Sequence, residues 1–211
     1  MKETRANVMQ ASEAHEVLSM SRVLSSTGPS DAWSIKGLGA DSPYHELKEK
    51  LMLFGQFVGD WETEARYPKV DGTETRARGE IHFRWILEGR ALQDTFMMID
   101  ERTGTAIPAG TTLRYYDQEI DAWHSIWFSP RQRVVQSFVA RKEGDEIVLR
   151  GATKEGYPER WIFSEISPDS FRWRAVESHD KEKTWLMTEE IRARRIKSEN
   201  MGRKAVEKRE A

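Results

Sequence analysis

From Gly79 onward the chain alternates. In Gly79–Met98, Ile81, Phe83, Trp85 and Leu87 fall on one side of the main chain. Glu80, His82, Arg84 and Glu88 fall on the other, broken only by Ile86. A period of two marks a half-buried antiparallel strand. The turn at Glu88-Gly89 starts a second run of the same kind. The pattern predicts strands near 59–67, 74–88, 90–99, 111–117, 121–128, 132–141, 145–153, 158–166, 170–178 and 184–194. Short turn signals separate most of them: Gln118-Glu119, Glu143-Gly144-Asp145, Gly156, Ser167-Pro168-Asp169 and His179-Asp180-Lys181. Thr103–Gly110, with its Gly and Pro, reads as a longer loop. About ten strands on short connections, with no helical crossover between them, predict a mainly β protein: a single antiparallel up-and-down β-barrel.

Helical spacing appears before the first strand. Leu47, Leu51 and Phe54 form an apolar stripe over 43–55, with Ser42 as N-cap, Pro43 at the first position and Gly55 at the end. Such a helix is placed to plug one end of a barrel. The expected domain plan is an N-terminal arm and linker over 1–42, a barrel domain over 43–195 and a charged tail over 196–211. The arm, together with the apolar break at Ile86, points to association as a homodimer.

Composition narrows the field. Acidic and basic residues are interleaved and the net charge is -2, so no basic stripe indicates nucleic acid. The absence of cysteine excludes disulfides and thiolate chemistry. No apolar run approaches the ~18 residues that span a bilayer, and no secretory leader pattern opens the chain, so the expected location is the cytoplasm. His15, His45, His82, His124 and His179 show no short ligand spacing, and no metal is expected. No phosphate loop, dinucleotide fingerprint or nucleophile elbow occurs, and no cofactor is expected. Eight Trp are many for this length, and indoles suit a core or a pocket for a flat ligand.

Three segments carry a resemblance. Phe57–Trp61 (FVGDW), Gly89–Leu92 (GRAL) and Leu113–Trp127 (LRYYDQEIDAWHSIW) are similar to those of a bacterial lipocalin-like, calycin-type barrel family, over about 57–195. The resemblance implies a barrel with an internal cavity. It also implies that the Gly-x-Trp packs on an arginine of the last strand, here Arg192 or Arg194. It carries over no catalytic residue.

Candidate chemistry comes from charged residues among the aromatics. Arg114 is expected to anchor an anionic or phenolic group, and His124 or Glu177 to move a proton. Trp85, Tyr116, Trp127, Arg160, Trp161, Trp173, His179 and Trp185 are expected to bind the ligand. Of Gln93 and Asp94, only one can face inward. The expected function is binding of a small flat aromatic or apolar acid or phenol, with cofactor-independent acid–base chemistry of a lyase or isomerase type. The alternatives are a non-catalytic carrier or sensor, with a single polar anchor in an apolar cavity, and a structural module with a filled barrel.

Overall fold

The computed structural model describes residues 38–69 and 71–197. The expected arm, up to residue 37, and the tail from 198 lie outside them.

Ten antiparallel strands form one closed barrel: β1 (Gly59–Pro68), β2 (Glu74–Ile86), β3 (Ala91–Ile99), β4 (Ala106–Asp117), β5 (Ala122–Ser129), β6 (Val134–Glu143), β7 (Glu146–Ala152), β8 (Pro158–Ser164), β9 (Ser170–Glu177) and β10 (Leu186–Arg195). Each strand pairs with its neighbour in sequence, and β1 closes on β10 with Trp61 opposite Arg195. Closure leaves no free strand edge. The fold is thus the up-and-down barrel that the alternation implies, of the lipocalin-like kind that the resemblance implies.

Two local departures have clear causes. β4 begins five residues earlier than its sequence pattern indicates. Ile107 and Pro108 pair with Met98 and Met97 beside a register shift at Phe96/Met97, and a bulge is one of the few sheet positions that tolerates proline. The turn itself is made by Asp100, whose side chain accepts from the amides of Arg102 and Thr103. The helix is also shorter than expected. A 3-10 turn at His45–Leu47 leads into α1 (Lys48–Gly55), without a side-chain cap. The amides of Ala40 and Tyr44 bond to the carbonyls of Trp85 and Gly89, holding the approach extended and leaving Ser42 outside the helix.

α1 plugs one end. Leu51 and Phe54 are fully buried, and Phe57 follows them inward. The Phe54 ring meets Trp123 at 5.0 Å and Phe163 at 5.8 Å, while Phe57 meets Phe163 at 4.9 Å and Phe171 at 5.0 Å. Each such burial contributes about 1.5–3 kcal/mol. This aromatic floor seals the base and leaves the opposite end open.

The arginine that packs on the Gly-x-Trp is Arg195, not Arg192 or Arg194. Its guanidinium lies 4.1 Å from the Trp61 ring and donates to the carbonyls of Val58 (2.7 Å) and Gln56 (2.9 Å). Arg192 and Arg194 point outward, because inward positions on β10 run Ile191, Ala193, Arg195. Gly59, at φ 131°, gives the guanidinium its room: a Cβ there would stand 2.5 Å from Arg195 Nη1.

Ile86 is buried within the chain, so it offers no surface for association. The exposed apolar side chains of the outer wall are elsewhere, with Leu113, Ile126, Phe128 and Val135 on β4–β6.

Candidate functional site

Inside the open half lies a cavity of about 210 Å³. The aromatic wall comes from alternate positions of five strands: Phe83 of β2, Trp127 of β5, Trp161 and Phe163 of β8, and Phe171 and Trp173 of β9, with Phe96 of β3 nearer the mouth. Trp161 meets Trp173 edge-on at 5.3 Å and Trp127 at 6.2 Å. Gly110 makes space for Trp127, since a Cβ there would come within 2.4 Å of the indole.

Polar groups sit at the two ends of this aromatic sleeve. At the floor, Arg114 is 3% exposed and donates through Nη1 to Asp94 Oδ2. Thr112 Oγ1 donates to the other oxygen of Asp94 at 3.3 Å. The guanidinium carbon lies 5.1 Å from the Phe54 ring and 5.8 Å from Phe83. Its Nε is buried without a hydrogen-bond partner. Of Gln93 and Asp94, the inward residue is therefore Asp94.

At the mouth, Glu159 accepts from Trp161 Nε1 (2.8 Å) and Gln136 Nε2 (2.6 Å). Burial pushes its carboxyl upward against those hydrogen bonds, helped by the charges of Glu177 and Glu155. Glu189 lines the same cavity from β10, two strands away with β9 between them. Burial pushes Glu189 up to about 7, opposed by a hydrogen bond from Tyr67 and reinforced by the charge on Glu159. Burial likewise raises the Tyr67 phenol, with Glu189 adding to the effect. Glu189 keeps some accessible surface, but that surface faces the cavity it lines.

Of the sequence-derived candidates, Arg114, Trp127, Trp161 and Trp173 meet in this cavity. The others do not. His124 lies on the outer wall, stacked on Tyr115 at 4.9 Å and 3.2 Å from Asp117. On β5 the inward residues are Trp123, Ser125, Trp127 and Ser129, so the residue between two inward side chains must point out. Arg160 points out for the same reason, between Glu159 and Trp161. It holds Glu182 at 2.6 Å and lies 3.9 Å from the Trp185 ring, so both Arg160 and Trp185 belong to the outer surface. Glu177 has the inward direction but sits at the rim, where it bonds the half-exposed His179 at 2.8 Å. His179 in turn lies on Tyr157, 4.1 Å away. Tyr116 bonds Asp121 near α1, at the plugged end. Trp85 is buried with its indole against Gly55 of α1, below the cavity. His124, Glu177 and Arg114 therefore do not line one cavity.

Polar residues of the cavity that the sequence pattern did not single out include Glu159, Glu189, Tyr67 and Gln136. Glu159 was accessible from pattern, since it shares a face with Trp161 and Phe163. Glu189 was too, two residues before the inward Ile191; the register shift between Met187 and Glu189 upsets only the residues ahead of it. Among the described residues, no group of three His, Asp or Glu side chains is arranged to hold a metal ion.

The architecture defines a ten-strand barrel of the lipocalin-like class with an internal cavity. Within that class the chain is structurally similar to the S-type phycobiliprotein lyase CpeS from Guillardia theta. The TM-score is 0.50 at 13% identity, over 70% of this chain and 92% of that one. It is also similar to Rv2717c from M. tuberculosis, with a TM-score of 0.48 at 11% identity, over 70% and 98%. No family model matches the sequence, and neither does any curated protein. At these identities the likeness is one of fold alone.

Proposed function

We propose that the protein binds a small, flat, largely apolar molecule inside the barrel, as a carrier or sensor. The observation that carries this reading is the open, three-indole cavity above a sealed aromatic floor. A filled structural barrel would have no such space. A cavity of about 150 Å³ holds a benzene-sized ring. The volume here therefore suits a fused pair of rings or one substituted ring. The acid–base scheme built on His124 and Glu177 loses its support, because His124 lies outside and Glu177 at the rim.

A second reading, cofactor-independent proton transfer, rests on Glu189. A carboxyl titrating near 7 within a cavity is suited to general acid–base work. That reading requires Glu189→Gln to abolish turnover of any substrate while ligand still binds.

Naphthalene is a suitable first probe. Calorimetric titration should show saturable binding at one site per chain. Ala175 is buried at the cavity wall, and Ala175→Phe should fill part of the space and weaken binding at least tenfold. Equal affinity of the variant and the unaltered protein would move the ligand out of the barrel.

A further inference from the structure

The mouth of the cavity has a charge imbalance that the outer wall lacks. Outside, several buried or half-buried carboxylates have arginine partners. Asp60 accepts from Arg84 at 2.6 Å, Glu190 from Arg66 at 3.1 Å and from Arg172, and Arg174 holds Glu146 at 2.7 Å. Inside, Arg114 is the one cation lining the cavity among the described residues, and Asp94 has already taken it. Glu159 and Glu189 are left with neutral donors: Trp161, Gln136 and Tyr67. Glu177 stands opposite Glu159 in the register and adds negative charge, although His179 pairs with it at the rim. Arg160, the nearest arginine in sequence, turns outward to Glu182.

Two carboxylates without a cation, beside three indole faces, form a receptor for a positively charged nitrogen. Carboxylates supply the countercharge, and indole faces attract cations through their quadrupole. We propose, resting on the small-molecule reading above, that the ligand carries a protonated amine, seated at the mouth between Glu159 and Glu189 and against Trp127, Trp161 and Trp173.

The far end of the cavity fits the same molecule. Asp94 neutralises the guanidinium of Arg114, so the floor offers no net charge for a ligand anion. The Nε of Arg114 is itself buried out of the cavity's reach, so the floor asks for no charged group on the ligand. The ligand is then a flat aromatic amine. This replaces the anionic or phenolic acid expected from the sequence.

Three probes with one ring system test the assignment: naphthalene, 2-naphthylmethylamine and 2-naphthoate, each titrated calorimetrically at pH 7.5. The amine should bind about tenfold or more tighter than naphthalene, and the carboxylate weaker than naphthalene. In the double variant Glu159→Gln/Glu189→Gln, the ratio of amine to naphthalene affinity should fall to about one. That variant removes buried negative charge, so its fold is not at risk. A carboxylate that binds as tightly as the amine overturns the proposal, as does an amine advantage that survives the double variant. In both cases naphthalene binding still stands as support for the cavity reading. Failure of all three probes to bind overturns both.

Discussion

Asp94→Ala is expected to destabilise the protein by about 3–5 kcal/mol, the scale measured when one partner of a buried ion pair is removed. The variant leaves the Arg114 guanidinium in an aromatic enclosure, 3% exposed, with Nη1 and Nε both unpartnered. Nothing near it can take over. Thr112 offers a hydroxyl, and the surrounding rings of Phe54, Phe83 and Phe163 offer only their faces. Arg114→Met should cost a similar amount, because Asp94 is then the buried charge. The double variant Asp94→Leu/Arg114→Met should recover most of the loss, since well-packed apolar groups often replace a buried pair with little cost. Urea denaturation of the four proteins decides the matter. Losses in the single variants that simply add in the double would mean that the pair is not coupled.

The second large effect concerns pH. Glu189 titrates near 7 in the folded protein, against an ordinary value of 4.5. Between those values the folded state holds a proton that the unfolded state has released. Its contribution to stability is intact below about pH 4.5 and is lost as pH rises through about 7. The accumulated loss is on the order of 3 kcal/mol. Glu189→Gln removes the titration. It should leave stability unchanged at pH 4.5 and raise it by up to about 3 kcal/mol at pH 8. A stability difference between variant and parent that is the same at both pH values would contradict the burial argument.

The barrel was legible in the sequence because closure needs only alternation and short turns, and both are written along the chain. All ten strands were placed, most to within two residues. The plug helix was found from Leu51 and Phe54. The site was harder to see, for reasons that differ residue by residue. His124 and Arg160 stand beside tryptophans in sequence. On a strand, adjacency to an inward ring means pointing away from it. Arg114 defies hydrophobicity, since β4 turns Leu113 and Tyr115 to solvent and takes the arginine in. Only its partner explains this, and that partner, Asp94, comes from the neighbouring strand. Glu189 is in phase with Ile191, but a carboxylate at a strand position reads as outward until the cavity it lines is seen. Arg195 displaces Arg192 and Arg194 because the register places it opposite Trp61.

The central claim, a ligand-binding cavity inside the barrel, is tested most directly by following the indole N–H resonances while naphthalene is added. The signals of Trp127, Trp161 and Trp173 should shift together and saturate. Those of Trp61 and Trp123, packed in the plugged end, and of Trp185, on the outer surface, should stay in place. Shifts confined to Trp185, or no saturable change at the three cavity indoles, would contradict the account.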